Sequence, residues 1–185
     1  MKWISALLAS AALTACVTSP VEKENNFAIG VAISGDFQFI PAGAKTYAWH
    51  PTSGVTYVGK SVDKKTLRHM FNDAIENTLA EKGYVRVTME QSPNFVVGYG
   101  LAVESELSDE EIYSKTQLST GIPTADFKED EKGTLFIAMY NYPLLEPKWK
   151  ALAQSGAKAE RDPEHSERRI NSYVDTVLRD MPTAQ

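Results

Sequence analysis

The side chains that could carry out chemistry in this chain are few and widely spaced. Cys16 is the only cysteine, and the histidines His50, His69 and His165 lie far apart, none at the spacing of paired metal ligands. No GxSxG elbow or phosphate loop occurs, and the GxG at 98–100 lacks both the third glycine and the following helix of a dinucleotide fingerprint. The sequence therefore predicts no catalytic residues, no metal site and no cofactor.

Acidic residues collect between positions 104 and 132, where the periodicity of the flanking segments fades. They lack the order of acids, glycine and terminal glutamate that a calcium loop requires, so a solvated acidic surface is the favoured interpretation. A small hydrolase that uses Glu104, Glu106 and Asp109 near Tyr99 and Tyr140 is the weakest functional hypothesis. Within this acidic excursion, the spacing of 108–111 is that of a capping box and predicts a short helix through about Leu118.

The segment Leu13-Thr14-Ala15-Cys16 closes a short apolar leader that starts with Lys2, and it resembles the lipobox of bacterial lipoprotein precursors. That resemblance implies that residues 1–15 are a signal peptide and that acylated Cys16 attaches the mature chain to a lipid bilayer. Val17, in place of an aspartate, favours the periplasmic side of the outer membrane by the same analogy. An ordinary secretory signal with a cysteine near the cleavage site by chance is the alternative. A transmembrane helix is disfavoured, because the apolar run is shorter than the roughly 20 residues of a membrane span.

Removal of the leader leaves 170 residues, which suits one domain on a tether. Residues 16–26 contain the lipidated cysteine and a polar flexible tether, and 27–185 form the predicted domain. The composition is ordinary for a globular protein, with 43% hydrophobic and 23% charged residues. A net charge of −5 without a clustered basic face argues against nucleic acid as a partner.

Two amphipathic helices are predicted to cover the core. The first follows a cap at Asp63 and ends at Lys82 and Gly83, and the second follows a cap at Asp162 with Pro163 at its first position. Each has one apolar stripe at steps of three and four residues. The helices therefore most simply lie side by side on one face of a sheet.

Strands are predicted at 45–49, 84–89, 94–103, 133–140 and 148–154, and 27–40 is either a strand or irregular chain. The second and third of these are joined by a connection short enough for an antiparallel hairpin. In 94–103 one face carries large residues and the other carries Val96, Gly98, Gly100 and Ala102, so the helices are expected on the small face; glycines that mark a bulge are the alternative. The predicted fold is an α+β two-layer sandwich, in which a mostly antiparallel sheet of four to six strands carries two helices on one face.

Aromatic residues are the remaining candidates for a ligand or partner surface, among them Tyr99, Tyr140 and Trp149. Core packing is the simpler interpretation of all three. The spacing of Lys45-Thr46-Tyr47-Ala48-Trp49, Lys82-Gly83-Tyr84, Ser92-Pro93-Asn94-Phe95-Val96-Val97, Gly133-Thr134-Leu135 and Met181-Pro182 resembles the bacterial lipoprotein family known as domain of unknown function 4136. Asn94 stands where the family usually has aspartate, and Met181 where it has phenylalanine.

The family resemblance implies a compact α/β domain on the cell envelope and transfers no catalytic residue. The leading hypothesis is a non-enzymatic envelope lipoprotein that binds or scaffolds another envelope component, either a protein or a glycan. The alternative is an accessory lipoprotein subunit of an envelope lipid or polymer transport system, an analogy based on the layered fold alone.

Overall fold

The computed structural model describes residues 30–123, 131–157 and 163–184, which form a seven-stranded sheet and three α-helices. The leader, Cys16, the tether and Asp162 lie outside these residues. The strands are β1 (Gly30–Gly35), β2 (Thr46–Trp49), β3 (Val55–Tyr57), β4 (Val85–Arg86), β5 (Phe95–Val103), β6 (Glu131–Asn141) and β7 (Pro147–Ala157). The helices are α1 (Lys64–Glu81), α2 (Asp109–Thr116) and α3 (Pro163–Val177).

The sheet is mixed, with strand order β1-β7-β6-β5-β2-β4 and with β3 paired to β5 beyond the end of β2. Strands β1, β7, β6 and β5 are antiparallel neighbours, whereas β2 and β3 run parallel to β5 and β4 runs parallel to β2. The predicted α+β class is confirmed. The prediction of four to six mostly antiparallel strands with two helices is only approximate, because α1 connects parallel strands and a third helix is present.

The predicted hairpin of β4 and β5 is wrong, because β2 lies between them. β2 pairs with β4 through Thr46 and Val85 and with β5 through Tyr47 and Phe95, both in parallel register. The connection from β4 to β5 therefore passes the end of β2. There the side-chain Oδ1 of Asn94 accepts hydrogen bonds from the backbone N–H of Lys45 and Thr46, each at 2.9 Å.

The helices α1 and α3 pack together over the large side chains of β5, not over its small face as predicted. Phe95 and Tyr99 on that face contact a core that includes Ile75 and Leu79 of α1 and Val174 of α3. On the small face, the space above Gly98 is instead filled by His50 and Tyr140. None of the helices in the described part of the chain is long and apolar enough to cross a membrane.

The helix α2 lies on the opposite, small face of the sheet and confirms the capping box in the acidic excursion. The Ser108 hydroxyl accepts from the Glu111 N–H, and the Glu111 carboxylate accepts from the Ser108 N–H. Ile112 of α2 and Leu107 before it are buried against Ala102 and other apolar residues of the sheet. This helix therefore forms one wall above the sheet.

Candidate functional site

An apolar groove of about 210 Å³ lies on the small face of the sheet, between β3 and α2. We call it the small-face groove. Its lining is provided by alternate residues of β5 and β6, by Leu152 of β7 and by the two walls: Thr52, Val55, Tyr57, Gly98, Gly100, Ala102, Leu107, Ile112, Lys115, Thr116, Thr134, Phe136, Tyr140 and Leu152, with Tyr99 and Leu101 at its border. No carboxylate belongs to this lining within the described residues.

Two glycines of β5 determine the depth of the groove. A Cβ at Gly98 would lie 3.1 Å from the Cβ of His50 and 3.3 Å from a ring carbon of Tyr140, so the absence of a side chain lets both rings approach the strand. A Cβ at Gly100 would have only the carbonyl oxygen of Val55 within 4 Å, at 3.5 Å. The space above Gly100 is therefore open, and it forms part of the groove.

The β3 wall arises because β2 and β3 form one interrupted strand beside β5. Trp49 pairs with Val97 and Val55 pairs with Gly100, so the β2–β3 side contains three more residues than the β5 side. The surplus residues form a turn at 50–53, and the Gly54 N–H rejoins the ladder by donating to the Tyr99 carbonyl at 2.8 Å. Gly54 has a φ of 82°, which a glycine adopts without strain.

The turn places an uncharged ring pair at one end of the groove. The rings of His50 and Tyr140 stack with centroids 4.6 Å apart, and Nδ1 of His50 accepts a hydrogen bond from the Thr52 N–H at 3.2 Å. Burial lowers the pKa of His50 and raises the pKa of Tyr140. Both rings are therefore neutral near pH 7, and this end of the groove is a stacked aromatic surface.

A buried lysine fastens the α2 wall to the sheet. Lys132 of β6 is only 1% exposed, and its ammonium group bonds to the Asp109 carboxylate in the first turn of α2 and lies 3.7 Å from a carboxylate oxygen of Glu104. Gln154 of β7 donates to the other Asp109 oxygen at 2.8 Å. Acids of the excursion thus hold α2 over β6 and β7.

The residues of the hydrolase hypothesis are not brought together. Glu104 and Asp109 face Lys132, whereas the Tyr99 ring lies on the opposite face of the sheet, where its hydroxyl donates to Oδ1 of Asn72 at 2.7 Å. Burial raises the pKa of Tyr99 to about 12. In the described ranges, no three potential metal-ligand side chains cluster.

Of the three aromatic candidates, Tyr140 has its ring at the groove. Trp149 is 2% exposed and stacks on Phe37 with ring centroids 4.9 Å apart, and Tyr99 is 4% exposed. Cys16 lies outside the described residues. Sequence reasoning missed the groove and β3, although the alternation of Gly98, Gly100 and Ala102 along one strand was the signal that could have located its floor.

Comparison with known proteins identifies the fold. Residues 35–183 match the family model described as Domain of unknown function (DUF4136). A solved DUF4136 family protein from Bacteroides thetaiotaomicron is similar with a TM-score of 0.53 and 10% identity, over 88% of this chain and 99% of that one. At such low identity the likeness concerns the fold alone.

Two further solved structures share the architecture. A PelC dodecamer from Paraburkholderia phytofirmans has a TM-score of 0.50 and 16% identity, over 85% of this chain and 99% of that one. A PDZ domain protein from Parabacteroides distasonis has a TM-score of 0.50 and 12% identity, over 85% of this chain but only 36% of that one. No curated protein matches the sequence.

Proposed function

This chain belongs to the DUF4136 family, and we propose that it is a lipid-anchored protein of the bacterial cell envelope that acts by binding another envelope component. The small-face groove is the observation that carries the binding role. Its lining is mainly apolar and contains no carboxylate within the described part of the chain, and the stacked His50 and Tyr140 rings close one end of it. Such a surface can exclude water from an apolar ligand, which favours a binding role.

The anchor in this proposal is Cys16. The residues that precede it have the order of a lipobox, and the polar segment at 17–26 can extend by roughly 3.3 Å per residue between the bilayer and the domain. More than one acyl chain makes membrane attachment stable, since a single myristoyl chain is only marginally sufficient. We place the anchored domain on the periplasmic side of the outer membrane, because Val17 follows the cysteine.

A photocrosslinking experiment in cells tests the binding role. A photoreactive amino acid replaces Tyr57, which is 39% exposed at the groove, or Val85, which is 61% exposed at the edge strand β4. We expect a crosslinked adduct from position 57 and none from position 85, and we expect the Cys16→Ser variant to lose the adduct by leaving the membrane. No adduct at position 57, or equal adducts at both positions, would contradict the proposal.

A second candidate role is that of an accessory subunit in an envelope transport assembly. It is favoured by the similarity of the fold to PelC, which forms a dodecamer. Sedimentation of the full chain provides the test. A closed oligomer of defined size supports this role, and a monomer at all concentrations contradicts it.

A further inference from the structure

We infer that the small-face groove, together with the open edge of β3, receives an extended apolar polypeptide segment that carries acidic residues. This inference rests on the proposed binding function and names the partner of the same site. Among the residues that the structure describes, three features support it: a strand edge without a neighbouring strand, a cavity of the size of one or two side chains, and two cations without carboxylate partners.

The strand β3 has an open edge. Its only partner among the described strands is β5, and on the other side its backbone faces no strand. Val55 and Tyr57 are 44% and 39% exposed, and they lie on the groove face, opposite Gly100 and Ala102 of β5. An unpaired edge with exposed apolar side chains is a template for an added strand.

The cavity has the size of side chains rather than of a whole small molecule. Its volume of about 210 Å³ lies below the range of roughly 300–1,000 Å³ that is typical of small-molecule pockets. In an extended segment, alternate side chains point to the same face. A strand added to the outer edge of β3 would therefore place alternate side chains on the groove face beside Val55 and Tyr57, so that one or two long apolar side chains reach over this wall into the groove.

One cation lies on each face of the sheet near β3. Lys115 of α2 lines the groove wall opposite β3. Arg68 of α1 lies on the other face of the sheet at the start of β3, where its Nε is 3.1 Å from the position that a Cβ on Gly54 would occupy. Both side chains are exposed, and neither forms an ion pair with any carboxylate in the ranges that the structure describes. Acidic residues on the incoming segment would complement these charges.

A fatty acid could also place an alkyl chain in the groove and a carboxylate near Lys115. Such a ligand would leave the edge of β3 unpaired, because an alkyl chain has no backbone groups to exchange with it. The open edge therefore favours a polypeptide, and lipid binding is one outcome of the test.

The experiment measures binding of labelled synthetic peptides to the full chain by fluorescence anisotropy. The first probe alternates valine and leucine between terminal aspartates, the second replaces the aspartates by lysines, and the third contains a central proline that removes a backbone donor. We expect only the first to bind well, with affinities of the other two lower by at least about tenfold, the ratio that corresponds to 1.4 kcal/mol. Decanoate serves as the lipid competitor.

Gly100→Val is the main variant. A Cβ at this position makes only an ordinary contact at 3.5 Å, so valine is accommodated in the strand while its methyl groups occupy the groove. We expect peptide affinity to fall by about tenfold or more, because one apolar side chain loses its burial. The control variant is Ile33→Lys, at an exposed position of β1 on the far edge of the sheet, and it should bind the peptide like wild type.

Lys115→Glu provides a second variant, which should reverse the preference between the acidic and basic peptides. Three results would overturn the inference. The wild type binds the acidic and basic peptides equally, the Gly100→Val variant has a native circular dichroism spectrum and binds the acidic peptide like wild type, or the protein binds decanoate but none of the peptides. If Gly100→Val fails to fold, the charge reversal decides. An in-cell adduct at position 57 together with failure of every peptide would reject this partner class but leave the proposed function intact.

Discussion

Replacing the buried lysine of β6 tests how the α2 wall is held. Lys132→Met keeps the length and apolar stem of the side chain but removes the ammonium group that faces Asp109 and Glu104. Breaking a buried ion pair costs about 3–5 kcal/mol when the remaining charge stays dry. The Asp109 and Glu104 side chains are 41% and 28% exposed, so water stabilises them partly and we expect a loss of about 2–3 kcal/mol.

Urea unfolding and thermal unfolding, both followed by circular dichroism, measure the loss of stability, and hydrogen exchange measures local opening. For a chain of this size, the expected loss corresponds to a decrease in Tm of about 4–12 °C. Amide exchange should accelerate more in α2 than in α1, because α2 loses its attachment to β6. Lys148→Met is the matched control, since its ion pair with Glu146 at 2.7 Å is solvent-exposed and its removal should leave unfolding unchanged. A Lys132→Met variant as stable as Lys148→Met would refute the reasoning.

Three further perturbations test other parts of the structure. Because the pKa of His50 is lowered in the folded state, its stabilising contribution is complete above the unfolded value of about 6.5 and is lost as the pH falls through the folded value. Between pH 7.5 and pH 5, the unfolding free energy measured by urea titration should therefore fall less for His50→Gln than for wild type. An equal decrease for both proteins would contradict this. Asn94→Ala removes an acceptor of three hydrogen bonds and should cost about 1–3 kcal/mol in thermal unfolding, whereas Asn94→Asp should retain most of the stability. Tyr99→Phe removes the hydroxyl that donates to Oδ1 of Asn72 and should lower the unfolding free energy by about 1–2 kcal/mol, and Asn72→Ala should lower it by a similar amount.

The local elements were predictable because their signals lie within a few residues of one another. The Asp63 carboxylate accepts from the N–H of Lys65 and Thr66 at the start of α1, as the capping residue predicted. The box formed by Ser108 and Glu111 likewise begins α2 where expected. Burial of the Trp149 ring also agrees with the simpler core interpretation.

The arrangement of the strands depends on contacts that no local pattern reports. The short connection before Asn94 favoured a hairpin, but the side chain of Asn94 instead binds the backbone at the start of β2, which lies between the two strands. The alternation of large and small side chains along β5 also does not reveal which face of the sheet the helices cover. Gly98 and Gly100 leave room for His50 and for the groove, not for a helix. Strand β3 was missed because three residues after a turn carry too little periodicity.

The intact mass of the native chain, extracted from bacterial membranes, tests the central claim most directly. We expect a mature protein that begins at Cys16 and carries covalently attached acyl chains on that residue. A chain with an unmodified thiol at residue 16, or one that retains residues 1–15, would contradict it.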